Sequence, residues 1–189
     1  MDTKLYCETI RGSRRGDEAA LKSIWKEVFG DSDKLIDAFF STLYSPGAAV
    51  VAVKDGEIVS AGYCISGAET DGLKCSYIYA MATLPEHRSH HLAHLVGKSL
   101  IGRALADGAD AVATLPADDG LTRWYETSLG MVPSFRKGGE GVTFPESWQT
   151  FAKACGEHSE NTPDRLWCVT RSGLKPEQFS DTGWELTFD

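Results

Sequence analysis

The stretch "YIYAMATLPEHRSHHLAHLV", Tyr77 to Val96, decides how the chain is read. Its first half is aromatic and apolar and has the composition of a strand. Pro85 stops that strand. From Leu92 the apolar residues recur at helical spacing, which predicts a helix over Leu92 to Ala106 with Gly108 just past its end. The link between strand and helix is short, polar and rich in histidine: His87, His90, His91 and His94 fall within eight residues. "ADAVATL" follows as another strand, broken at Pro116. A strand, a helix and a second strand in this order predict a parallel pairing.

The flanks extend the pattern. On the N-terminal side "KLYCETI" alternates as a first strand, and "RGSRRGDE" breaks it. Asp17 is placed to cap the helix "EAALKSIWKEVFG", which ends at Gly30 and carries Ala20, Leu21, Ile24, Val28 and Phe29 as its apolar face. "DSDKLIDAFFSTLYS" is a second helix, with Leu35, Ile36, Phe39, Phe40 and Leu43 in a stripe and Pro46-Gly47 as its stop. "AAVVAVKDGEIVSAGYCIS" reads as a hairpin about Asp55-Gly56. "GAETDG" reads as a polar loop before the long strand "LKCSYIYAMATL". Beyond Pro116, "PADDGLTRWYETSLG" is a loop and a helix stopped by Gly130, and "MVPSFRKGGEGVTF" a strand, turn and strand. After Pro145 come a helical "ESWQTFAKACGEH" and strands at "RLWCVTR" and "WELTFD". The expected fold class is α/β of the α+β type: a mixed, mostly antiparallel central sheet flanked by helices.

Composition narrows the function classes. The 189 residues are 42% hydrophobic and 24% charged, ordinary for a globular domain. A net charge of −8 argues against sequence-independent nucleic-acid binding, which needs a basic face. The cysteines Cys7, Cys64, Cys75, Cys155 and Cys168 are odd in number and form no CxxC pair, so reduced thiols in a cytoplasmic protein are expected. No signal-like apolar run and no membrane span are expected.

The chemistry concentrates at Pro85–Val96. The N-terminus of a helix presents unpaired N–H groups and a partial positive charge, which suits an anion such as a pyrophosphate. Arg88 adds a guanidinium just before it. Histidines four apart on a helix can also chelate, as His90 and His94 would, but no acidic or cysteine partner stands at ligand spacing. No metal site is expected.

Two segments together resemble the GCN5-related N-acetyltransferase (GNAT) superfamily. One is Thr83-Leu84-Pro85-Glu86-His87-Arg88-Ser89-His90-His91-Leu92-Ala93, whose last six residues, Arg88 to Ala93, fall on the family pattern R/Q-G-x-G-x-G/A after its V-x-P-E strand end. The other is Trp124-Tyr125-Glu126-Thr127-Ser128-Leu129-Gly130-Met131, which is one residue longer than the family pattern F-Y-E-K-x-G-F. The element order matches from about Leu5 to Phe144. The resemblance implies an acyl-CoA N-acyltransferase fold, with residues 1–144 as the transferase domain and 145–189 as an extension packed on it. It implies acetyl-CoA as cosubstrate, held by Met81, Ala82 and Thr83 and by Arg88, Ser89, His90, His91, Leu92, Ala93 and His94. It implies that Tyr125 protonates the departing thiolate, as a phenol with a pKa of about 10 can. Ser89 and His91 stand where the family has glycines, and a positive φ would strain histidine by about 1 kcal/mol or more.

The implied activity is transfer of an acetyl group from acetyl-CoA to a primary amine by direct attack. The alternative is a non-catalytic acyl-CoA-binding or protein-interaction module on a degenerate scaffold of the same family. The acceptor is a small-molecule or peptide amine, with no nucleic acid and no membrane as partners. Glu69, Asp71, Glu86, Asp118 and Asp119 all fall in predicted loops and single out no general base. Tyr77 and Tyr79 share a strand face and suit either an acceptor groove or the core. Trp124 reads as core. For the tail, with Trp148, Trp167 and Trp184, the open roles are completing the sheet, covering the acceptor groove or forming a homodimer contact.

Overall fold

A computed structural model describes residues 9–156, 159 and 161–189. Most of the "KLYCETI" strand lies outside them; within them the first strand is β1, Thr9–Gly12. The chain forms two compact units, each with its own core.

The first unit holds the residues up to Ile65 and Ile78–Leu100. Helix α1, Glu18–Phe29, is closed by Gly30 at φ 72, whose N–H donates to the Lys26 carbonyl. Asp17 precedes it without capping it. Its carboxylate instead accepts from both terminal nitrogens of Arg11, at 2.7 and 3.1 Å, and from the Arg14 N–H. The charged partner wins over the helix N–H groups because charge-assisted bonds are the stronger. The buried face of α1 is Leu21, Ile24 and Trp25, while Ala20 and Phe29 point outward. Helix α2, Asp33–Thr42, is capped by the Ser32 hydroxyl and buries Ile36, Phe39 and Phe40. Trp25 packs on Phe39 and Tyr63 at ring separations of 4.8 and 5.4 Å.

Strands β2, Ala49–Lys54, and β3, Glu57–Thr70, form the expected hairpin. Asp55 and Gly56 both take positive φ, as a two-residue turn of this hand requires. Asp71 and Gly72 do the same, so "GAETDG" is not a loop: β3 runs on to Thr70 and turns directly into β4, Leu73–Thr83. Helix α3, Leu92–Ala106, has the expected bounds. It lies on Gly62, where an added Cβ would sit 2.9 Å from both Leu100 and Met81 and 3.3 Å from Val96.

The second unit holds Ser66–Tyr77 and the residues from Ile101 onward. It contains β5 (Ala111–Thr114), α4 (Asp119–Leu129), β6 (Val132–Lys137), α5 (Glu146–Cys155), β7 (Arg165–Thr170) and the two-residue β8 (Gly183–Trp184). β5 pairs parallel with β4, Cys75 against Ala111 and Tyr77 against Ala113. β7 pairs antiparallel with both β5 and β6. The second limb expected after β6 makes only isolated bridges, among them Glu69 to Thr143. Tyr77, Phe135, Trp148, Phe151 and Trp184 fill the core. The buried polar tips are paired: Tyr77 Oη donates to the Thr187 carbonyl and Trp148 Nε1 to the Ser66 carbonyl.

The strands hydrogen-bond in the order β1-β2-β3-β4-β5-β7-β6-β8. Among the described residues the sheet is mixed and mostly antiparallel, with five α-helices, as the sequence predicts. Among the described residues no helix is long and apolar enough to cross a membrane.

Candidate active site

In the first unit the candidate residues lie on the end of β4, the loop after it and the first turn of α3. β4 is distorted before it ends. Ala80 sits at φ 50, a left-handed conformation that costs an alanine roughly 1–2 kcal/mol. Strain of this kind persists where surrounding structure imposes it, and it concentrates at functional sites. Nothing in the sequence signals it, because alanine is neutral to both strand and bulge.

The end of β4 is fastened to β3. Ser60 Oγ donates to the Ala82 carbonyl at 3.0 Å and shares a hydrogen with Thr83 Oγ1 at 2.8 Å. The Leu84 N–H donates to the Val59 carbonyl. Thr83 therefore has its hydroxyl turned to β3, and its carbonyl accepts from Arg88 Nε at 3.2 Å. Ser60 is a site-supporting residue that the sequence reading missed; a serine in the middle of a half-apolar strand gives no such sign.

Pro85–His87 form one short 3-10 turn. Ser89 at φ 69 and His91 at φ 59 then take left-handed conformations, at the two positions where the family pattern has glycine. Alternation of this kind turns backbone N–H groups toward one side as an anion-binding concavity. His91 begins the α3 ladder, its carbonyl accepting from the Leu95 N–H at 3.1 Å. The N–H groups of Leu92, Ala93 and His94 belong to the first helical turn and have no acceptor within the helix. Arg88 is exposed; with Nε on Thr83, its terminal nitrogens have no protein partner among the described residues.

Tyr125 belongs to the second unit. α4 is capped by Asp118, whose carboxylate accepts from the Leu121 N–H, and closed by Gly130 at φ 69. Tyr125 is half-buried and meets Trp124 edge-on at 5.1 Å. Its phenol hydrogen-bonds the hydroxyl of Thr114, the last residue of β5. Burial raises its pKa above the ordinary value, and the Thr114 hydroxyl offsets part of that rise. A phenol so placed is protonated at neutral pH.

The acidic candidates separate. Asp118 is a helix cap, Asp119 lies in the first turn of α4, Asp71 forms a hairpin turn, and Glu69 lies in β3 rather than in a loop. Glu86 is exposed in the 3-10 turn. Tyr77 is core, 2% exposed, whereas Tyr79 is half-buried against Trp25 and Phe39. No group of three or more metal-ligating side chains is assembled among the described residues. A cavity of about 360 Å³ in the first unit is lined by Arg11, Asp17, Glu27, Glu57 and Leu84, and contains none of the candidate coenzyme-binding or catalytic residues.

No curated protein matches the sequence. Among solved structures, a GNAT family N-acetyltransferase from Escherichia coli in complex with CoA superimposes with a TM-score of 0.65 at 14% identity, covering 96% of this chain and 90% of its own. A GNAT family acetyltransferase from Brucella melitensis in complex with acetyl-CoA gives 0.58 at 14% identity, covering 96% and 97%. A putative acetyltransferase from Pyrococcus horikoshii gives 0.53 at 15% identity, and there this chain spans only 44% of the other's length. At such identities these likenesses establish the fold. The family model for the acetyltransferase (GNAT) domain matches residues 9–127, more than half of the chain. With the sheet order and the distorted β4 already in place, this match leads to one conclusion: the chain belongs to the GNAT acetyltransferase family.

Proposed function

We propose that the protein transfers an acetyl group from acetyl-CoA to a primary amine, with Met81, Ala82, Thr83, Arg88, Ser89, His90, His91, Leu92, Ala93 and His94 holding the coenzyme and Tyr125 acting as general acid. The observation that carries this reading is the backbone at Ser89 and His91. Both residues take the left-handed conformation that glycine adopts without strain, which supports an N–H cradle at this loop although the glycines are not there. That fits a pyrophosphate: a concave row of N–H donors at a helix N-terminus, with the Arg88 guanidinium beside it.

Acetyl-CoA supplies the activated acetyl group as a thioester. The first turn of α3 and Arg88 offset the phosphate charge. The amine nitrogen of the acceptor forms the new C–N bond as the C–S bond breaks and its electron pair goes to sulfur. Tyr125 delivers its Oη proton to that sulfur and recovers one from solvent, while the acylated nitrogen loses its extra proton to water. Burial favours this role because it keeps the phenol protonated until the thiolate forms.

The match to the family model over residues 9–127 supports a transferase domain within residues 1–144, with 145–189 as an extension whose β7 joins the same sheet. The acceptor is a small-molecule or peptide amine.

Calorimetric titration with acetyl-CoA tests the reading first. Saturable binding is expected, and its absence at high micromolar coenzyme would sink the proposal. Tyr125→Phe is expected to bind acetyl-CoA normally and to lose about 100-fold in kcat. Coenzyme binding without turnover on a broad amine panel would mark a non-catalytic acyl-CoA-binding module instead.

A further inference from the structure

We propose that Thr114 and the Trp167–Glu126 pair form a two-point clamp that seats α4 on the sheet and positions the Tyr125 hydroxyl for proton transfer. The clamp rests on the general-acid reading of Tyr125. Thr114 of β5 and Trp167 of β7 are direct cross-strand partners, so their side chains leave the sheet side by side. Both are buried, at 3% and 8% exposure. Two consecutive residues of α4 meet them. Tyr125 hydrogen-bonds the Thr114 hydroxyl, and Glu126 Oε1 accepts from Trp167 Nε1 at 3.1 Å. Adjacent side chains on a helix point about 100° apart. Fixing both sets the rotation of α4 about its own axis as well as its distance from the sheet.

The direction of the Thr114 bond matters. A phenol has a single hydrogen. If it were given to Thr114, it would be turned away from any acceptor in the site. The role assigned to Thr114 requires it to donate to Tyr125 Oη: the phenolic hydrogen then stays available, and the phenolate left after transfer keeps a donor. Thr114 is thus a positioning residue, acting through Tyr125.

The test is a double-mutant cycle with a titration beside it. Thr114→Val, nearly isosteric, is expected to lower kcat about 3- to 10-fold with the KM for acetyl-CoA unchanged. Thr114→Ser should restore it. In a Tyr125→Phe background Thr114→Val should have no further effect. Independently of activity, the Tyr125 phenol is followed by tyrosinate absorbance, as wild type minus Tyr125→Phe, and should titrate at higher pH when the Thr114 hydroxyl is removed. Glu126→Leu, which breaks the second anchor, should lower kcat without moving KM. Equal losses from Thr114→Val in both backgrounds, or an unmoved phenol titration, overturn the clamp while leaving the general acid in place. Full turnover by Tyr125→Phe overturns the general-acid reading itself, and the clamp's catalytic role with it.

Discussion

At the scale of single residues the loop after β4 shows how a backbone requirement outlives the residue type that usually meets it. Ser89 and His91 hold left-handed conformations at φ 69 and 59. Histidine tolerates this region better than branched residues do, since it is enriched there among non-glycine types. The cost is still of the order of 1 kcal/mol. His91→Gly should therefore raise stability by up to about 1 kcal/mol, partly offset by the greater freedom of glycine in the unfolded chain. For a chain of this size that is a rise of about 2–4 °C in Tm. His91→Val should lower Tm instead, because a β-branched side chain cannot take this conformation cheaply. Thermal denaturation of the two variants decides it; a His91→Gly variant less stable than wild type would mean that the imidazole contributes contacts exceeding the strain. The sequence reading located both positions and stated the condition under which histidine would be strained. It could not say whether the condition holds, since φ is not encoded by the residue alone.

Among elements, the hairpins were legible and the pairing of distant strands was not. Asp55-Gly56 and Asp71-Gly72 carry the same turn signal, and both make the same turn. The second was misread as a loop because Glu69, Thr70 and Asp71 are polar, although alternate residues of β3, Ala68 and Thr70, are buried. The strand at Arg165–Thr170 was legible from its Leu166, Trp167 and Val169, but its place between β5 and β6 depends on contacts that no local pattern records. Asp17 failed as a cap for a related reason: its true partner, Arg11, lies in another element. The β3–α3 contact gives a test at this scale. Gly62 has no room for a methyl group, with Leu100 and Met81 2.9 Å from where its Cβ would stand. Gly62→Ala should cost about 1–3 kcal/mol of stability by overpacking. Met81 is also a proposed coenzyme-contacting residue, so the KM for acetyl-CoA should rise in the same variant. Chemical denaturation and steady-state kinetics measure the two effects, and an unchanged KM would separate the packing role of Met81 from any role in binding.

For the molecule as a whole, the two cores share a property that sets its response to alkali. Each buries acidic groups that ionise poorly. In the first unit Tyr63 is 1% exposed, its hydroxyl has no hydrogen-bond partner among the described residues, and burial drives its pKa far above the ordinary phenol range. In the second, burial pushes the Cys75 and Cys168 thiols up to about 12 from an ordinary 9.0, and raises Tyr125 as well. All four groups are neutral in the folded state at pH values where the unfolded chain has already released their protons. Above the unfolded pKa the unfolded state binds fewer protons, so stability must fall as pH rises. Below about pH 9 these groups contribute no pH dependence. Between about 9 and 12 each thiol should remove up to about 1.4 kcal/mol per pH unit, and the phenols add to this above about 10. Urea unfolding across this range under reducing conditions should give a flat stability that turns down near pH 9. Cys75→Ala and Cys168→Ala, though less stable at neutral pH from lost packing, should show a shallower decline. A wild-type stability that stays flat through about pH 11 would mean that the folded protein admits thiolates at Cys75 and Cys168, and that the strands carrying them open to water without unfolding the rest.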